Sequence, residues 1–141
     1  MNTPSVSKTW HKSLWIAQVV LAVVFGLAGA VKVVQPEAFD ASLGWGASVS
    51  PSMLRFIGSM ELLGAIALVA PAATRVAPAA TPLAGAGLAT LMVLASLFHA
   101  YRHEPANIAV NVALGLIAGF VAWGRAEKAP IASRSTRTVR A

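Results

Sequence analysis

Cysteine is missing from this sequence of 141 residues. Its absence excludes disulfide bonds, thiolate nucleophiles, cysteine-ligated zinc and iron–sulfur clusters. Charge is scarce as well, because charged residues make up 11% of the chain, against about a quarter of an ordinary soluble domain. The composition therefore argues against a soluble globular domain, and any redox role would have to borrow its cofactor from another molecule.

Four long apolar stretches are present instead, and hydrophobic residues make up 57% of the sequence. Each stretch is close to the ~20 residues that a helix needs to cross a hydrocarbon core of about 30 Å. Backbone N–H and C=O groups find no water at that depth, so the stretches must be helical. We predict an all-α fold, a bundle of four transmembrane helices in a lipid bilayer, at residues 14–34, 54–71, 82–101 and 106–123.

The basic residues are concentrated on one predicted side of the membrane. They precede the first stretch, lie between the second and third, and follow the fourth, whereas the loop 35–53 contains Glu37 and Asp40 and no basic residue. The positive-inside rule then places both termini in the cytoplasm. We predict a cytoplasmic segment at 1–13, a transmembrane domain at 14–124 and a basic, disordered cytoplasmic tail at 125–141.

The N-terminal region allows a second interpretation. Lys8 and Lys12, the apolar stretch and the Ala-Gly-Ala sequence at 28–30 also resemble a cleaved secretory signal. Cleavage there would leave three spans. The stretch is longer than the apolar part of a usual signal, and Lys32 lies where a lysine can reach the membrane interface. We therefore favour a retained first helix.

Prolines predict the ends of the helices. The first helix should end before Pro36, because the residue before a proline avoids helical geometry. Ser50 followed by Pro51 is typical of a helix start. We expect the second helix to end at Pro71, and we expect a tight turn before Pro105 to separate the third and fourth helices.

Small residues predict where the helices pack, since close approach in lipid depends on glycine, alanine and serine. The fourth stretch has such a residue or an asparagine at every fourth position from Asn107 to Gly119. The glycines that we predict to pack against other helices are Gly26, Gly58, Gly64, Gly115 and Gly119.

Five polar residues in or at the ends of the apolar stretches need a reason, because polar groups in lipid are costly. They are Lys32, Glu61, His99, Asn107 and Asn111. Glu61 lies about 10 Å inside the second helix, at about 1.5 Å per residue, within reach of Lys32. We predict that Lys32, Glu61 and His99 form one cluster. This cluster is either a structural ion pair or a polar pocket that handles protons, and the asparagines either bond neighbouring helices or belong to that pocket.

No metal site is predicted. His99 and His103 are four residues apart, a spacing that places two ligands on one helix face, but no other histidine lies near that end of the helices. We expect His103, beside Arg102 and Glu104, to be solvated.

Several short motifs resemble the DoxX-like family of small bacterial four-helix membrane proteins. They are Gly-Ala-Val-Lys at 29–32, Arg-Phe-Ile-Gly-Ser-Met-Glu-Leu-Leu-Gly-Ala at 55–65, His99 and Asn111. The resemblance covers residues 25–125 and implies a four-helix fold in the bacterial inner membrane. It also implies an association with redox chemistry, because the family takes its name from a subunit of a thiosulfate:quinone oxidoreductase and relatives are tied to oxidative-stress complexes. The cysteine pair of some redox-linked relatives is absent here.

Two functions follow as hypotheses. In the first, the chain is an accessory or quinone-proximal subunit of a membrane redox or oxidative-stress system, and the five polar residues line a pocket for a quinone, which is not covalently bound. In the second, it is a non-enzymatic adaptor or assembly factor whose polar residues serve packing. A redox-complex protein or a second copy of the chain is the expected partner. Nucleic acid is not, because the basic residues form no patch interleaved with aromatics.

Overall fold

A computed structural model of the protein describes residues 8–43 and 49–134. They form five α-helices and a short π-helix. No strand occurs in these two segments, so the predicted all-α fold is confirmed. Parts of the predicted N-terminal segment, the loop 35–53 and the tail lie outside the described residues. The helices are α1 (Lys8–Val34), α2 (Pro36–Leu43), α3 (Pro51–Thr74), α4 (Ala80–Tyr101), α5 (Pro105–Trp123) and the π-helix Gly124–Lys128.

Four helices are long and apolar enough to cross a membrane. These are α1, α3, α4, and α5 together with the π-helix, with 27, 24, 22 and 24 residues. Their outward faces carry large apolar side chains such as Leu27 and Leu116, which are 66% and 71% exposed. An apolar surface this extensive is unfavourable in water and favourable in lipid. The chain is therefore a multi-pass membrane protein.

Helix α3 does not end at Pro71, so that prediction is wrong. The helix continues to Thr74, and Arg75 terminates it in the left-handed conformation with φ 60°. Pro71 lacks the N–H that would bond a carbonyl one turn earlier, and such gaps are tolerated in membrane helices when a neighbouring group bonds the carbonyls near the proline. The carbonyl without its helical partner is that of Ala67, and the Gln18 side chain of α1 donates to the adjacent carbonyl, that of Leu68.

Other helix boundaries agree with the proline pattern. Helix α1 ends at Val34, and Ser50 caps α3 by accepting a hydrogen bond from the Met53 backbone N–H at 3.3 Å. The loop 35–53 contains a helix that was not predicted, α2, which begins at Pro36. A proline is well suited to a first helical position because its missing N–H would have no partner there.

The predicted tail does not begin at residue 125. The chain continues helically as the π-helix, in which Arg125 is buried. Ala129 N–H closes that turn on the Gly124 carbonyl at 2.8 Å. A Cβ at Gly124 would lie 2.5 Å from a methyl group of Leu14. The close approach of this turn to α1 is therefore possible because residue 124 has no side chain.

The four long helices form a ring in the order α1, α3, α4, α5. Helix α1 packs most extensively on α3, and α4 on α5, whereas the contacts of α3 with α4 and of α1 with α5 are fewer. Leu21, Phe25, Leu68, Leu88 and Val121 are among the side chains that fill the centre. We call the end with α2 and the α4–α5 turn the α2 end. The opposite end, with the start of α1 and the π-helix, is the terminal end.

Glycines determine how closely the helices approach each other. A Cβ at Gly58 would lie 2.7 Å from the Gly29 carbonyl, and one at Gly64 would lie 2.7 Å from Leu88. A Cβ at Gly115 would lie 3.2 Å from Met92, and one at Gly26 would make an ordinary contact at 3.9 Å. A Cβ at Gly119 would meet no atom within 4 Å, so Gly119 is not at the predicted close contact. Gly29, Gly85 and Gly124, which do approach other helices, were not among the predicted packing glycines.

Candidate functional site

A cavity of about 670 Å³ lies at the α2 end of the bundle. Its walls come from all four long helices, from α2 and from Val49 and Ser50. Most of the lining is apolar, with Phe39, Phe56 and Phe98 among it. The polar residues singled out in the sequence converge on this space, since Lys32, Glu61, His99, Asn107 and Asn111 all line it.

Lys32 and Glu61 form a buried ion pair in the wall of the cavity. The lysine Nζ donates to both carboxylate oxygens at 2.7 Å, and both residues are buried. The pair is possible because α1 and α3 meet at Gly29 and Gly58, where a Cβ on Gly58 would lie 2.8 Å from that of Lys32. Lys32 Nζ also lies 4.9 Å from the centre of the Phe39 ring, a distance at which a cation is attracted to an aromatic face.

A second group of charges centres on Glu104, in the turn between α4 and α5. One carboxylate oxygen lies 2.6 Å from His99 Nδ1 and accepts from the Asn107 amide at 3.2 Å, and the other accepts from Arg102 Nε at 2.7 Å. The hydrogen bond from His99, and after it the one from Arg102, lower the pKa of Glu104 to about 2. The left-handed conformation of His103, with φ 58°, makes the turn sharp.

His99 links that turn to the cavity. It is buried at the end of α4, and a carboxylate on Nδ1 keeps a proton on that nitrogen. Nε2 is then the ring nitrogen suited to exchange a proton with another group. His103 is exposed. Sequence reasoning missed Glu104 as a site residue, although its position five residues after His99 and two after Arg102 was the available signal.

Asn111 contributes an unused donor. Its Nδ2 is buried, and among the described residues no acceptor bonds it. Buried side-chain amides are bonded in most structures, so an orphaned one needs an explanation such as a ligand or water. Because Asn111 lines the cavity, a molecule with a hydrogen-bond acceptor would meet this requirement.

A model of the DoxX-like family matches residues 16–121, which is most of the chain. The chain belongs to the DoxX-like family. The matched region contains all five polar residues of the cavity and Glu104, so the site of this DoxX-like protein lies within the part of the chain that the family shares. Searches of curated proteins and of solved structures gave no match.

Proposed function

We propose that this DoxX-like protein is a quinone-proximal accessory subunit of a membrane redox or oxidative-stress system, and that its cavity binds the quinone ring. The observation that carries the proposal is the convergence of polar side chains from four helices on one mainly apolar cavity, with the Asn111 donor unused. Pockets of about 300–1,000 Å³ with apolar walls and few polar groups are typical of small-molecule sites.

A quinone matches this chemistry. Its ring is flat and apolar and fits among phenylalanine side chains, while its two carbonyl oxygens accept hydrogen bonds. Asn111 Nδ2 supplies a donor for one carbonyl, and His99 supplies a group that exchanges protons at the other. Reduction to the quinol takes two electrons and two protons. In this proposal the electrons come from a redox protein partner in the same membrane.

The charges at the α2 end provide a route for the protons. His99 lies between the cavity and Glu104, and Glu104 is in the turn outside the membrane-spanning helices. His99 Nε2 would give a proton to a bound quinone once for each of the two protons of the quinol, and because Nδ1 keeps its own proton on Glu104, Nε2 would take each replacement proton from water at the α2 end. Lys32 donates to both carboxylate oxygens of Glu61 and orients this side chain at the edge of the same cavity.

Quinone binding can be tested on the purified protein in mild detergent. A short-chain benzoquinone is titrated while binding is followed by native mass spectrometry, and the same titration is made on Asn111→Ala. We expect about 10-fold weaker binding in the variant, because a hydrogen bond to a buried donor is lost. Gly119→Ala is the control on the same helix, since its added Cβ meets nothing within 4 Å. Equal binding by Asn111→Ala, or none by the unmodified protein, would contradict the proposal.

A second candidate function is a non-enzymatic adaptor or assembly factor. It is favoured by the observation that Glu61 and Glu104 are already bonded by groups of the same chain, as a structural role would require. In that case gentle extraction should recover a stoichiometric protein partner, or a second copy of the chain, without any quinone. The same native mass spectra therefore separate the two functions.

A further inference from the structure

A second polar cluster lies at the terminal end of the bundle, far from the cavity. Arg125 is 3% exposed, and its Nε donates to the Gln18 side chain at 2.6 Å. One terminal nitrogen, Nη1, donates to the Ala129 carbonyl at 3.3 Å and lies 3.3 Å from His11 Nδ1. The other, Nη2, is buried and bonds nothing among the described residues.

The cluster holds more donors than acceptors. Trp15 Nε1 donates to His11 Nε2 at 3.1 Å, so that nitrogen must carry the lone pair. A neutral imidazole then has its proton on Nδ1, and this N–H faces Arg125 Nη1, which is itself a donor. Two donors that face each other do not form a hydrogen bond. The His11 N–H and the protons of Nη2 therefore all lack an acceptor in this part of the structure.

The cluster also lacks a counter-charge. No carboxylate of the described residues lies within ion-pair distance of Arg125, and Glu127, the nearest acidic residue in the sequence, is exposed. Arg75 adds positive charge near His11. A buried guanidinium without an anion is costly, because its desolvation is not repaid by an opposite charge.

The position of the cluster suits an interfacial ligand. Trp10 and Trp123 pack edge to face nearby, with ring centres 5.6 Å apart, and tryptophans are enriched where membrane helices meet water. His11 is exposed, so it lies between Arg125 and the surroundings of the protein. Trp15 flanks the guanidinium with its ring centre 5.6 Å from Cζ.

We propose that Arg125 and His11 form a binding site for a phosphate-type oxyanion at the terminal end of the bundle. The oxyanion accepts from His11 Nδ1 and from the Arg125 terminal nitrogens, which both removes the donor surplus and supplies the missing negative charge. The fork of an arginine matches two oxygens of a phosphate group. Such an oxyanion is present in the headgroup of an anionic lipid and in free phosphate.

Lipid binding and thermal unfolding of the delipidated protein test this proposal. The protein in mild detergent receives phosphatidylglycerol, phosphatidylcholine or inorganic phosphate, the last compared with chloride at equal ionic strength. We expect phosphatidylglycerol to raise the melting temperature by about 4 °C or more and to be retained in native mass spectra more than phosphatidylcholine. A comparable effect of inorganic phosphate identifies the free ion as the ligand. No effect of either phosphatidylglycerol or phosphate overturns the proposal.

The variants identify the residues. Arg125→Gln should weaken binding about 10-fold or more, because charge-assisted bonds to the oxyanion are lost, and His11→Ala should weaken it less. Arg134→Gln is the matched control, since it removes the same charge from an exposed side chain at the same end. Equal weakening in Arg134→Gln and Arg125→Gln would mean general attraction and would overturn the site. If Arg125→Gln does not fold, His11→Ala is tested alone, and unchanged oxyanion binding by this variant would also overturn the site.

Discussion

The two ends of the bundle contain polar clusters that differ in whether their basic side chains have acidic partners. At the α2 end each buried base has an acid: Lys32 bonds Glu61, and His99 bonds Glu104. At the terminal end Arg125 has only the Gln18 amide, a backbone carbonyl and the contact with His11. The first cluster is neutralised by the chain itself, so a neutral molecule with acceptor atoms suits its cavity. The second is short of negative charge, so a negatively charged ligand suits it.

The largest expected effect comes from breaking the ion pair at the α2 end. Glu61→Gln leaves Lys32 buried without its counter-charge, and Lys32→Met does the same to Glu61. We expect each to lower the free energy of unfolding by about 3–5 kcal/mol, with the double variant partly restored. Thermal or denaturant unfolding in detergent measures this.

The same measurement compares the two ends. In delipidated protein Arg125→Gln should cost less than Glu61→Gln, because the arginine has no ionic partner to lose. A Glu61→Gln protein as stable as the unmodified one would show that the Lys32–Glu61 pair does not hold the helices together. It would then favour a carboxylate that serves only the cavity.

The next largest loss of stability is expected at the close contact between α1 and α3 that brings Lys32 and Glu61 together. A Cβ in Gly29→Ala would lie 2.6 Å from the Gly58 carbonyl, so α1 and α3 must move apart. We expect a loss of about 1–3 kcal/mol, as for other overpacked sites. Gly119→Ala, with open space at its Cβ, should instead be neutral or gain up to about 1 kcal/mol from helix propensity. Equal stabilities of the two variants would contradict the close α1–α3 contact.

A smaller effect is expected from pH at the α4–α5 turn. The pKa of Glu104 is lowered to about 2 in the folded protein, below the ordinary value of about 4.3. A depressed pKa contributes stability above the unfolded-state value, and this contribution is lost as the pH falls through the folded-state value. The melting temperature should therefore fall between about pH 5 and pH 2. Glu104→Gln should remove most of the Glu104 part of this fall, and an unchanged pH profile in the variant would refute the assignment.

The last prediction concerns the side of the membrane that each end of the bundle faces, and no change in stability is expected. The basic-residue asymmetry predicts that the terminal end faces the cytoplasm. Ala41 in α2 and Ala132 near the terminal end are exposed, and the chain has no cysteine of its own. With a membrane-impermeant thiol reagent on intact cells, Ala41→Cys should react and Ala132→Cys should not. The reverse pattern would invert the topology.

The sequence was sufficient for the parts of the site that depend on helix length and depth. The helix rise places Glu61 within reach of Lys32, and the cost of polar groups in lipid singles out five polar residues that line the cavity, but the bond of His99 to Glu104 was not predicted. The spacing of four residues wrongly predicted that Gly119 packs against another helix, because four residues turn a helix about 40° past a full turn. From Asn107 to Gly119 the stripe therefore rotates by about 120°, and Gly119 no longer faces the helices that Asn111 faces.

The terminal cluster could not be predicted in the same way. Arg125 follows the apolar stretch and is typical of a solvated tail, and only the π-helix turns it inward to Gln18. That turn depends on Gly124 meeting Leu14, a contact between residues that are distant in the sequence. Gln18, a polar residue in the middle of an apolar stretch, was the one local signal that this region has a polar partner.

The unequal packing of the ring divides the bundle into two halves. Helices α1 and α3 form one half, α4 and α5 form the other, and the contacts between the halves are fewer. Arg125 joins the halves through Gln18 at the terminal end. At the α2 end the cavity lies between the halves, because one half carries Glu61 and the other carries His99 and Asn111. The Lys32–Glu61 and His99–Glu104 bonds each lie within one half, so neither bond crosses the cavity, and a molecule bound there would contact both halves at once.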